Sequence, residues 1–203
     1  MMKLFIALVA MAVMLMPSIA SANLLSNPGF ENPTASPWTE FISGGNTGSF
    51  TYGDATYVHG GSKSLKFNYG NYGDWGMGAY EQIISVTPST TYSINAWLKS
   101  VSLTNAESFL AIQYQDTGGI WGSWTEGAHV SGTQDWTELT ITSLSASNAA
   151  NMKVALKNWA TAGVSSGQAY WDDTAVIPEP TSLLLLGSGL VGLLGFGRKR
   201  LTK

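Results

Sequence analysis

The stretch "TYSINAWLK", residues 91–99, decides how this chain folds. Tyr92, Ile94, Ala96 and Leu98 share one parity, and Ser93, Asn95, Trp97 and Lys99 share the other. Successive residues of a strand point to opposite faces, so this is a strand with one face in a core and one toward water. The pattern recurs on both sides. Upstream, "KSLKFNY" (63–69) groups Leu65, Phe67 and Tyr69. Downstream, "SFLAIQYQ" (108–115) groups Leu110, Ile112 and Tyr114 opposite Phe109, Ala111, Gln113 and Gln115. Residues 136–142, 151–157 and 169–176 alternate likewise. Turn-forming clusters separate the runs: Thr87-Pro88-Ser89, Asp116-Thr117-Gly118-Gly119, Ser131-Gly132-Thr133 and residues 163–167. Long helical periodicity is absent, and residues 143–150, where a helical turn could form, read as a loop. Many short strands at this spacing predict an all-β chain, an antiparallel two-sheet β-sandwich or jelly roll.

The two ends read differently. Residues 1–22 carry Lys3 ahead of an apolar run, 4–15, and close on Ser18-Ile19-Ala20-Ser21-Ala22. Ala20 and Ala22 make an A-x-A cleavage pattern, so this is an N-terminal signal peptide cut before Asn23, and its apolar core is short for a membrane anchor. Residues 23–177 are one domain's length. They hold five lysines, no arginine and twelve carboxylates, a formal charge of −7 that the whole-chain value of −3 conceals, because Arg198, Lys199, Arg200 and Lys203 sit in the tail. An acidic, arginine-free domain excludes nucleic acid as a partner. With no cysteine, thiol catalysis and Cys-ligated zinc are excluded too.

Five pieces occur in order: "NLLSNPGFE" (23–31), "HGGSKSLKF" (59–67), "TPSTTYSINAWLKS" (87–100), "DWTELTIT" (135–142) and "AYWDDTAVI" (169–177). Together they resemble the CBM4/9/22-like carbohydrate-binding modules, jelly rolls among the galactose-binding-domain-like folds. The resemblance implies a two-sheet sandwich, a structural calcium ion and, often, a sugar-binding concave face. Its calcium ligands would be the Gly29 carbonyl, the Glu31 and Asp172 carboxylates and main-chain oxygens of the turn from Gly60 to Lys63. Hard oxygen ligands suit Ca²⁺, and an ion there would relieve the repulsion between two neighbouring carboxylates.

The tail begins Pro178-Glu179-Pro180, continues as an apolar run, 181–197, and ends Arg198-Lys199-Arg200. It resembles the PEP-CTERM sorting signal, which implies an exosortase-type membrane protease as a partner. Pro-Glu-Pro cannot continue a strand or a helix. The apolar run is just long enough for a single membrane-crossing helix, and the basic end should stay cytoplasmic. The expected domains are therefore signal peptide 1–22, sandwich 23–177 and sorting signal 178–203. The expected localisation is exported, at the cell envelope or outside it, with transient anchoring in the inner membrane.

Sugar-binding modules stack pyranose rings on Trp or Tyr, while amides and acids fix the hydroxyls. Trp75, in a Gly-rich stretch, and Trp121 and Trp124, in "GGIWGSWTEG" (118–127), are the candidates for stacking on a polysaccharide. Trp97 and Gln113 join them from the polar faces of their strands. Trp136 and Trp171 are assigned to the core. Two other motifs fall away. Gly187-Ser188-Gly189-Leu190-Val191-Gly192 lies in the apolar run rather than after a strand. Gly163-Val164-Ser165-Ser166-Gly167 has no histidine downstream, His59 and His129 both lying before it. As a glycosidase pair, Asp172 and Asp173 should point to opposite faces, and Asp74, Asp116 and Glu126 show no partner. The expected function is an exported, non-catalytic carbohydrate-binding protein. The alternatives are a matrix or adhesion protein without a discrete sugar site, or a polysaccharide-acting enzyme.

Overall fold

β5, Thr91–Asp116, is the spine of the molecule. In its first half every second residue is buried, Tyr92, Ile94, Ala96 and Leu98 among them, as its alternation demands. The computed structural model describes residues 22–32, 37–43, 48–70, 76–161 and 163–179. Besides β5 these form β1 (Thr39–Ser43), β2 (Ser49–Asp54), β3 (Ser64–Asn68), β4 (Met77–Ser85), β6 (Trp121–Glu126), β7 (Val130–Leu144), β8 (Ala149–Ala160) and β9 (Ser166–Pro178). Among the described residues there is no helix. The signal peptide, the C-terminal apolar run, Pro180, Arg198, Lys199, Arg200, Asp74 and Trp75 lie outside the described residues.

Pairing is antiparallel throughout, in the order β1-β4-β8-β5-β9-β3-β2, with β6 and β7 also on β5. β5 belongs to two layers. Its first half pairs with β7 and β9. Its second half pairs with β8 and β6. Between them the register slips repeatedly, and Ser102 and Asn105 take positive φ of 52° and 48°. These irregularities bend the strand from one layer into the other. Layer one is then β1-β4-β8-β5-β6, and layer two is β2-β3-β9-β5-β7. The result is the jelly-roll sandwich that the alternation predicts.

The core lies between the layers. Phe67, Tyr92, Ile94, Leu98, Leu110, Ile112, Met152, Leu156 and Trp171 are buried there. Full burial of such a side chain stabilises by roughly 1.5–3 kcal/mol. One polar line crosses it. Asn158 Oδ1 accepts from Trp171 Nε1 (3.1 Å) and Ser108 Oγ (2.9 Å), and Tyr69 OH meets Ser108 Oγ at 2.9 Å. These bonds offset the cost of burying an amide and a hydroxyl and fix how β8, β9 and β5 stack. Trp171 is core, as expected. Trp136 is not. It shares the parity of Glu138, which pairs with outward-facing Trp97, so its ring stands on the outer face of layer two. The loop reading of 143–150 holds for residues 145–148, with strands on both sides.

Candidate functional site

The outer face of layer one collects the rings. In a regular strand, residues three apart point to opposite faces. β6 escapes this through a bulge: Gln113 pairs with Trp124 but Gln115 with Trp121, one residue more on β6 than on β5. Both tryptophans therefore turn to the same face. Lys153 Nζ lies 4.9 Å from the Trp121 ring centroid and 5.8 Å from that of Trp124. Gln113 belongs to this face too, its amide donating to the Gly122 carbonyl at 2.6 Å.

β8 supplies the floor. Lys153, Lys157 and Trp159 alternate outward between buried Met152, Val154, Leu156 and Asn158. Lys157 is only 3% exposed, and its Nζ lies 3.7 Å from the Trp124 centroid. Burial pushes its ammonium pKa down, against the pull of Glu126 Oε1 at 3.3 Å. Next along, His129 lies flat on Phe109, centroids 3.9 Å apart and planes 3° apart. Its Nδ1 is 3.1 Å from Glu107 and its Nε2 3.6 Å from Glu126. Lys153 pairs with Glu81 at 3.2 Å. Glu126, which shows no partner in the sequence, thus has two. The face is a set of rings interleaved with amides and paired charges, open along the sheet. A depression of about 220 Å³ beside Tyr114, Asp116, Ile120 and Asn148 takes in Gln115 but none of these rings.

Sequence reasoning missed Phe109, His129, Lys153, Lys157 and Trp159 as members. The outward parity of Lys153, Lys157 and Trp159 within an otherwise apolar strand was the signal.

The first and last pieces of the domain meet elsewhere. Asp172, fully buried, accepts at Oδ2 from the His59 and Gly60 amides, 2.9 and 3.1 Å, and at Oδ1 from the Asp173 amide, 2.8 Å. Burial pushes its pKa up to about 6 in spite of those bonds. Glu31 accepts from the Ser62 and Lys63 amides, 2.7 and 3.0 Å, and from Ser62 Oγ, 2.8 Å, which hold its pKa low. Gly61 has φ +67° and lies so close to Glu31 that any Cβ would collide with the carboxylate. Gly29 packs against both: a Cβ there would lie 3.5 Å from Asp172 Oδ1 and 3.9 Å from Glu31 Cγ. The two carboxylates and the Gly29 carbonyl are hard oxygens of the kind that suits Ca²⁺. The turn from Gly60 to Lys63 presents its N–H groups, not its carbonyls, to the two carboxylates. Among the described residues no three of His, Cys, Asp and Glu group to hold a metal.

Asp173 departs from the expected alternation. Its φ is +43°, and the register slips between Asn95 and Trp97, so a bulge sits there. Asp172 and Asp173 therefore both reach the same loop, Asp173 Oδ2 meeting His59 Nδ1 at 2.7 Å. Strict alternation would have placed them on opposite faces; the bulge resets it. Trp97 is also here, on layer two, with His59 stacked on it at 3.9 Å. It does not join Gln113, Trp121 and Trp124.

A family model described as "Carbohydrate binding domain", CBM4/9, matches residues 22–166. The chain belongs to the CBM4/9 family. A second model, the PEP-CTERM protein-sorting motif, matches residues 176–200 of this CBM4/9 chain. Solved structures share the fold. One is TmCBM61 in complex with β-1,4-galactotriose: TM-score 0.57, 18% identity, 78% of this chain and 100% of that one. Another is the CBM22-1 xylan-binding domain from Paenibacillus barcinonensis: TM-score 0.53, 19% identity, 78% and 96%. The enzymatically active domain of bacteriophage CBA120 tailspike protein 4 has TM-score 0.61 at 14% identity, and the match spans 77% of this chain but only 21% of the tailspike chain. No curated protein matches. At these identities the likeness is one of fold, and what the face does rests on its own residues.

Proposed function

We propose that this is an exported, non-catalytic carbohydrate-binding protein that holds a polysaccharide across the outer face of layer one. The observation that carries the reading is the pair Trp121 and Trp124, turned to one face by the β6 bulge and seated over Lys153 and Lys157. Sugar C–H faces stack on such rings, and Gln113, Gln115, Asn151 and Glu81 lie within the same face to meet hydroxyls. The carboxylates of the face are engaged, Glu81 by Lys153, Glu107 by His129 and Glu126 by Lys157 and His129, which supports binding over glycoside hydrolysis. Retention of the protein on a panel of insoluble polysaccharides tests binding. Release of reducing ends in the same mixtures would overturn the non-catalytic part.

Two further parts belong to this reading. Glu31 and Asp172, with the Gly29 carbonyl, would hold a structural Ca²⁺, which when bound neutralises both carboxylates. These residues tie the segment before β1 to β9, whatever fills the space between them. The PEP-CTERM motif, in turn, supports sorting to the envelope through an inner-membrane stage, with an exosortase-type protease cutting near Pro178-Glu179-Pro180. β9 ends at Pro178, and Glu179 N–H donates to the Thr91 carbonyl at 2.8 Å, so the tail leaves directly from the sheet.

A further inference from the structure

We propose that the outer face of layer two is a second carbohydrate-binding face, so that one chain grips two polysaccharide strands and cross-links them. The inference rests on the carbohydrate-binding reading above, but it adds a separate site on the other side of the core. The same strand builds both faces: Phe109 and Gln113 point outward from the second half of β5, and Asn95, Trp97 and Lys99 point outward from the first.

The face has the composition that polyhydroxyl ligands require. His59 lies on Trp97 with planes 15° apart, and Trp136 meets His59 edge-on at 5.5 Å. Tyr57, 40% exposed, stands edge-on to Tyr170 at 5.0 Å, with Lys99 Nζ 5.0 Å over its ring. Rings of this kind, with hydrogen-bonding groups at their rims, offer flat apolar contact at little entropic cost. The carboxylates beside them are each held by a donor. Lys99 holds Asp135 at 2.7 Å, His59 holds Asp173 at 2.7 Å, and Glu138 accepts from the Asn95 amide at 2.8 Å. A face whose carboxylates are held by donors beside its rings presents both apolar planes and hydrogen-bonding groups, the pairing that a sugar chain requires. Of the large apolar side chains that stand exposed among the described residues, Tyr57 belongs to this patch and Leu144 lies on the same face at the far end of β7, opposite Thr91, so the aliphatic content around the rings is low for a protein-binding surface.

Two faces on one rigid sandwich make the second encounter with a polymer network intramolecular, which multiplies retention without any new contact. The test uses the purified chain, the polysaccharide that retains it, and an oligosaccharide of that polymer too short to reach around the domain. Calorimetry should give two oligosaccharides per chain, and the protein should thicken a dilute solution of the polymer. Trp124→Ala should leave one per chain, and Trp97→Ala or Trp136→Ala should leave the other; each should abolish thickening while the protein still binds. A parent that binds one oligosaccharide, and whose binding the Trp97 and Trp136 variants do not change, overturns the second face and leaves the first intact. That stoichiometry needs no variant, so a misfolded Trp97→Ala does not blunt the test. A parent that binds no polysaccharide overturns both readings.

Discussion

Lys157 is the most informative single residue. Its ammonium is buried beneath Trp124, held by Glu126 and depressed in pKa by burial. The folded chain therefore gives up this proton at lower pH than the unfolded chain does. In the alkaline window between those two values the unfolded state binds more protons, so stability rises with pH there and the gain is lost as pH falls through the folded value. Lys157→Met keeps the stem and removes the charge. It should flatten that alkaline rise and change neutral stability by no more than about 1 kcal/mol, since the Glu126 carboxylate left behind is one-third exposed and keeps His129 at 3.6 Å. Urea titrations at several alkaline pH values check both points. Trp124→Ala and Trp121→Ala should each weaken polysaccharide binding by roughly 1–3 kcal/mol, the range for aromatic rings that stack on flat ligands. Their far-ultraviolet circular dichroism should match the parent, because both rings sit on the outer face. At this scale the sequence was readable where parity alone decides. It marked Trp97 as outward and Leu65, Phe67 and Tyr69 as inward, and the structure agrees. It failed for Trp136, whose neighbours Leu139 and Ile141 are core while its own parity faces out.

At the scale of elements, bulges decide what alternation cannot. The β6 bulge unites Trp121 with Trp124, and the β9 bulge at Asp173 brings two adjacent carboxylates to one loop. Neither is written in the local pattern, because each is set by the partner strand. The charged members of the layer-one face were hidden for the same reason. Lys157 is far in sequence from Glu126 and His129, and it meets them only when β5 carries β6 and β8 on its two sides. One glycine tests how tightly the crossing is built. Gly167, at φ +110°, starts β9 against the bend of β5, and a Cβ there would lie 2.6 Å from the Ser102 carbonyl oxygen. Gly167→Ala should lower unfolding free energy by roughly 1–3 kcal/mol in urea titration, as both backbone strain and the clash act together. The junction of Gly29, Glu31 and Asp172 makes a second prediction. Chelator should lower the melting temperature and added Ca²⁺ raise it, with a logarithmic dependence on concentration. Glu31→Ala combined with Asp172→Ala should remove that response, and a melting point indifferent to both chelator and Ca²⁺ would reject the ion.

For the whole molecule, the order of its parts matches its proposed life outside the cytoplasm: a CBM4/9 sandwich, followed by a sorting motif attached to β9 without a spacer. If the tail is processed, the mature protein should lack residues 183–203, and its intact mass should show this. Binding at the outer face of layer one is tested most directly by titrating an isolated polysaccharide into parent and Trp124→Ala protein at equal fold content. The parent should bind saturably, and the variant should bind roughly 5- to 150-fold more weakly at that face. Identical isotherms for the two proteins, or no binding by the parent across neutral polysaccharides, would contradict it.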